Sequence, residues 1–143
     1  EPLQIGKDTI PTQYIDTTVD SATMATTDTL RFTVKDSSSS TIATISGQPG
    51  TDWVVDPFST ENTIANIAAW INDTQVSGRA GPAVYFSAFY NPGTAATKLV
   101  IKVLNSAYLN STVEYFDSGG SASSAFSLDG GGASVSFASG GHS

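Results

Sequence analysis

Cysteine is absent from this chain. No disulfide, thiolate metal site or cysteine nucleophile can exist, so packing alone must hold the fold. Histidine occurs once, as His142 in the terminal Gly140-Gly141-His142-Ser143, which reads as a solvated end. A nucleophilic triad built on histidine is therefore not expected. Basic residues are few and scattered (Lys7, Arg31, Lys35, Arg79, Lys98, Lys102), and the formal net charge is −7. Without a Lys/Arg cluster there is nothing to neutralise phosphates, which argues against nucleic acid and against an anionic membrane surface as partners. No apolar run approaches the roughly 20 residues that span a bilayer as a helix. Charged residues make up 13% of the chain, against roughly 25% in an ordinary soluble domain. The polar surface must be mostly Ser, Thr, Asn and Gly, a composition suited to life outside cells or within an assembly.

What is present is β patterning around one helix. The 143 residues suffice for a single domain with a real core. Residues 1–28 carry two apolar groups, Leu3/Ile5 and Ile10/Tyr14/Ile15, between Pro2, Pro11 and a Thr/Ser/Asp-rich stretch. They read as an extended N-terminal arm, suited to adding a strand to a neighbouring subunit. The first residue is Glu1, compatible with signal removal, proteolytic maturation or a fragment.

Leu30, Phe32 and Val34 alternate with Arg31, Thr33 and Lys35, the signature of a half-buried strand. Thr41–Ser46 should form a hairpin with it, and Thr51–Asp56 a third strand. Ile64, Ile67, Ala68 and Ile71 recur at i, i+3, i+4 and i+7, predicting one short amphipathic helix over about 60–73. Ser59 or Thr60 caps it, and Glu61 favours its dipole. Trp70 lies beside the apolar stripe, placed to close the core edge. Further strands are expected around 84–89, 98–104 and 112–116. Residues 118–143 turn Gly/Ser-rich, with short edge strands at 125–128 and 134–138 and a frayed end from Ser139. The expected fold is mainly β (α+β), an antiparallel sandwich or barrel-like sheet with the core domain at 29–117.

The chemistry-bearing side chains do not converge. Asp16, Asp20, Asp28, Asp36, Asp56, Asp73, Asp117 and Asp129 fall in turns or the arm, where Asp serves turn geometry. No EF-hand spacing and no phosphate-binding loop is present, because Gly130-Gly131-Gly132 lacks the lysine and following helix. No catalytic residue, cofactor or metal site is expected. Tyr85, Phe89, Tyr90, Tyr108 and Tyr115 could line a sugar-stacking face, but core and subunit contacts are the preferred use.

The block from Thr51 to Val103 resembles a module of bacteriophage structural proteins. The resemblance rests on Gly50-Thr51-Asp52-Trp53, the Ser59-Thr60 cap, the helix Ile64-Ala65-Asn66-Ile67-Ala68-Ala69-Trp70-Ile71-Asn72, then Val84-Tyr85-Phe86, Gly93 and Leu99-Val100-Ile101. A similar Ile/Asn helix followed by strands occurs in flagellar hook-associated and cap proteins, whose long terminal helices this chain lacks. Phe126-Ser127-Leu128-Asp129-Gly130-Gly131 is similar to punctuation in tail-sheath-like proteins. Trp70 departs from the pattern, where a small residue is commoner. The resemblance implies a non-enzymatic virion protein, foremost a capsid decoration (cement) protein or else a tail or fibre component. Its partners would be itself, as a homo-oligomer, and other virion proteins such as the major capsid or tail protein. The interface candidates are Leu3, Ile5, Ile10, Tyr14 and Ile15. The alternative is an extracellular carbohydrate-binding or adhesin module.

Overall fold

A computed structural model of the chain describes residues 13–73, 75–76, 79–91, 98–129 and 132–142. Among these residues there are ten strands: β1 Tyr14–Val19, β2 Thr29–Lys35, β3 Thr41–Gly47, β4 Gln75–Val76, β5 Arg79–Ala80, β6 Phe86–Tyr90, β7 Lys98–Val103, β8 Thr112–Phe116, β9 Phe126–Leu128 and β10 Ser134–Ser136. The same residues hold two α-helices, α1 Thr60–Asn72 and the single turn α2 Phe137–Gly140. Eight of the strands form two four-stranded antiparallel sheets, ordered β6-β7-β1-β9 and β10-β8-β2-β3. The mainly-β class with one substantial helix is as the patterning predicts.

The sheets pack face to face through aromatic pairs contributed by both. Phe32 of β2 meets Phe86 of β6 at 4.8 Å between ring centroids, and Tyr115 of β8 stacks on Phe126 of β9 at 4.7 Å. Ile15, Leu30, Leu99, Ile101, Val103 and Val113, all fully buried, complete the interior. The core thus runs from Ile15 to Phe137, well beyond the 29–117 span expected. The expected arm is shortened likewise, since β1 is an inner strand hydrogen-bonded between β7 and β9.

Helix α1 starts where its capping chemistry dictates: the Ser59 hydroxyl accepts the Asn62 N–H at 3.2 Å. Its stripe of Ile64, Ile67 and Ile71 is fully buried. The helix closes one side of the sandwich, and its last residue carries the closure. Asn72 accepts the Ala88 N–H at 2.9 Å and donates to the Ala88 carbonyl at 2.7 Å. Its side-chain amide thereby imitates the next strand beyond β6. Replacing Asn72 with alanine leaves both Ala88 backbone groups without these partners and should cost about 1–3 kcal/mol, read as a lowered urea midpoint.

Trp70 closes the core edge as expected, 7% exposed and 5.5 Å from Trp53 between ring centroids. Only glycine fits beneath it, because a Cβ on Gly47 would lie 2.7 Å from the Trp70 ring.

Three local expectations are corrected. Thr51–Asp56 is not a strand: Trp53 makes one isolated bridge to Pro49, and Asp52 takes the Gln48 N–H into its own carboxylate at 2.6 Å. Side-chain capping there replaces ladder pairing. Residues 82–84 form a 3-10 turn set by Gly81-Pro82, so β6 begins only at Phe86. The C-terminus is not frayed through His142, which exchanges two backbone hydrogen bonds with Tyr14, at 2.9 and 2.7 Å. Phe137 just before it is fully buried.

Candidate assembly surface

The most distinctive surface feature is a sheet edge. Among the described residues the two stacked sheets have four edges. On β6 the Ala88 backbone groups are taken by Asn72, while β9 and β10 are three residues each. The fourth, β3, is seven residues long and among the described residues pairs only with β2. The Lys35 N–H bonds to the Ser111 hydroxyl on the β8 side, which fixes the alternation along β2. Val34, Phe32 and Leu30 then face β3, opposite Ala43, Ile45 and Gly47. By the same alternation the backbone N–H and C=O of Thr44 and Ser46 point away from the sheet.

That edge carries no charge. Its sequence is Thr-Ile-Ala-Thr-Ile-Ser-Gly, without the lysine or proline that ordinarily discourages pairing. Ile42 on it is 48% exposed. On β2 and β8 alongside, Arg31 and Glu114 neutralise each other through contacts of 2.7 and 3.1 Å. The Arg31 hydrogen bond holds the Glu114 carboxyl below its ordinary range, so the pair stays charged and matched in mildly acid solution.

The loop before α1 presents a second contact feature. Phe58 is 97% exposed and Val54 69%, yet the loop is fixed by hydrogen bonds. Asp56 accepts the Phe58 N–H at 3.0 Å and the Asn62 amide at 3.1 Å. These bonds, the Asn62 one foremost, lower the Asp56 pKa. The Thr63 hydroxyl accepts the Asp56 N–H at 2.9 Å. Phe58 and Val54 together place an aromatic and an aliphatic side chain in water on one ordered loop. Val84, Phe89 and Leu104 are also about half exposed; Phe89 stands opposite Val100 on the outer side of β6.

The interface candidates read from the sequence divide sharply. Leu3, Ile5 and Ile10 lie outside the described residues. Tyr14 is half-buried in β1, beside the His142 ring at 5.3 Å. Ile15 is fully buried in the chain's own core, which removes it from any contact with a neighbour. Reasoning from the sequence missed Ile42, Val54 and Phe58. The Pro57-Phe58 pair was the available signal, since an aromatic in a polar turn has no core to enter.

The aromatic residues considered for sugar stacking do not form one platform. Tyr115 is buried, and Tyr85 and Tyr108 pack edge to face at 5.1 Å against the core. Tyr90 donates to Glu61 at 2.6 Å, and that bond raises its pKa. The loop aspartates do turn work. Asp36 accepts from the Ser38 and Ser40 N–H groups, and Asp117 from those of Gly119 and Ser121, all within 2.9–3.0 Å. Among the described residues no helix is long and apolar enough to cross a membrane. No family model, curated protein or solved structure matches the chain.

Proposed function

We propose that this chain is a non-enzymatic structural subunit of a virion, foremost a capsid decoration (cement) protein, and otherwise a tail or fibre component. The observation that carries the reading is the uncharged β3 edge, which among the described residues has no second partner, while β9 and β10 are short and β6 is met by Asn72 at Ala88. Such an edge accepts an extended segment of a neighbouring subunit, its main chain supplying affinity and its alternate side chains specificity. The module-like block from Thr51 to Val103 and the low charge support the same reading. The mechanism is physical: each contact removes apolar surface from water at about 25 cal/mol per Å², and many contacts stiffen a lattice.

The test is co-sedimentation of the full chain with purified particles from a culture expressing it. Saturable binding is expected, and Thr44→Lys should weaken it about tenfold or more while circular dichroism stays unchanged. A chain that ignores particles at every concentration, or a monomer that binds a glycan saturably, overturns the reading in favour of an adhesin-type module.

A further inference from the structure

We propose that Asp16, Asp129 and His142 form a binding site for a divalent transition-metal ion of the zinc type. Their ligand atoms all lie within 4.8 Å of one another. They come from β1, from the residue after β9 and from the segment after α2, so the site gathers three distant stretches of chain. His142 Nε2 is 3.0 Å from Asp129 Oδ2, which also accepts the Asp16 N–H at 2.7 Å.

Three observations go beyond proximity. The first is the donor set, which pairs an imidazole with two carboxylates. Hard cations such as calcium favour six to eight oxygens, whereas zinc favours three protein ligands of N and O type with water completing a tetrahedron. At zinc bond lengths of about 2.0–2.2 Å the ligand atoms sit about 3–3.5 Å apart. The His142–Asp129 spacing of 3.0 Å is near that range, and all three ligand atoms lie within 4.8 Å of one another.

The second is the Asp16 carboxylate, which has no hydrogen-bond or ion-pair partner among the described residues although Asp16 is half-buried. A cation between the two carboxylates would give that side chain a partner. The third is the backbone beneath His142. The two hydrogen bonds to Tyr14 fix the residue's position, and Gly141 permits it: a Cβ there would lie 2.6 Å from the Phe137 carbonyl oxygen and 3.1 Å from that of Tyr14. The backbone that carries the imidazole is thereby fixed beside β1, while the ring itself is half exposed.

A bound ion would clasp the C-terminal segment onto β1. This inference is independent of the virion reading and holds for an adhesin equally.

The test uses the full chain. Zinc ion should raise the melting temperature saturably and EDTA should reverse the rise, while calcium and magnesium leave it unchanged. His142→Ala and Asp16→Asn should each abolish the response. Cobalt(II) provides a readout separate from stability, because a tetrahedral N/O site gives a visible absorption band that His142→Ala removes. Absence of both the melting shift and the cobalt band overturns the proposal. A zinc response retained in both variants places the ion elsewhere and overturns it too. A stability loss in His142→Ala confined to acid solution, with no metal response in the parent chain, reduces the trio to an ion pair and likewise overturns the site.

Discussion

Replacing Phe86 with alanine is expected to remove about 3–5 kcal/mol of stability. The ring is fully buried and stands where three elements meet. Phe32 of β2 lies 4.8 Å away, and Phe137 of α2 stacks on it at 5.5 Å with planes 16° apart. Truncation opens a cavity that none of these elements can fill by simple collapse. Next to it in β6, Ala88 is tied to α1 through Asn72, and β2 is held between β3 and β8. Against a total stability of about 5–15 kcal/mol, such a loss leaves the domain marginal. Urea unfolding should show a lower midpoint with an unchanged slope. A loss under about 1 kcal/mol would mean that the aromatic layer does not bear on stability as its packing implies.

The second large effect concerns Tyr115. Its ring stacks on Phe126 with planes 7° apart, and its hydroxyl donates to the buried Asp28 at 2.9 Å. The same Asp28 oxygen accepts the Ala25 N–H at 3.1 Å. Tyr115→Phe keeps the stack and withdraws one of the two donors from a buried carboxylate. Hydrogen bonds to charged groups contribute about 1.5–3 kcal/mol, and a loss in that range is expected.

The pH dependence has a definite sign. Burial first, then the Asp28 charge and its hydrogen bond, push the Tyr115 pKa far above its ordinary value. The folded chain keeps this phenol protonated where the unfolded chain ionises it, above about pH 10. The stability it contributes is therefore fully present below that pH and is lost as pH rises beyond it. The fall approaches about 1.4 kcal/mol per pH unit. The difference in stability between the parent chain and Tyr115→Phe should shrink from about pH 10 upward. A difference that stays constant up to about pH 11 would show that Tyr115 ionises as readily folded as unfolded.

How far the sequence disclosed this molecule depends on whether each signal was local. Helix α1 was legible because its four apolar positions and its Ser59 cap sit within one short window, and β2, β7 and β8 announced themselves by alternation. β1 did not. Its inward positions are Ile15, Thr17 and Val19, and the polarity of Thr17 hid the pattern. The structure resolves this by burying Thr17 with its hydroxyl donating to the Leu99 carbonyl at 2.9 Å. Glycine and serine around Phe126, Leu128 and Phe137 masked a second contribution to the core in the same way.

The surface features were illegible for a different reason. Whether a strand lies at an edge is decided by which partners it lacks, and no window of residues around β3 contains that information. The cluster of Asp16, Asp129 and His142 depends on chain closure across 113 positions between Asp16 and Asp129. Phe58 is the exception, an aromatic in a polar turn with no interior to fill.

In the proposed assembly, the pairing of Asn72 with Ala88 of β6 limits how many copies can join. A sheet with two free edges is bifunctional and can extend without end, as monomers do in linear polymerisation. Among the described residues one sheet has the Ala88 position of β6 taken by a side-chain amide and the short β9 opposite, and the other has β3 as its edge of useful length. Under the proposed function each copy acts as a monovalent acceptor at β3, taking up a single strand without passing the pairing on through its own sheet. On that proposal the edge takes one incoming strand per subunit, and the expected binding curve saturates at the number of sites a lattice presents.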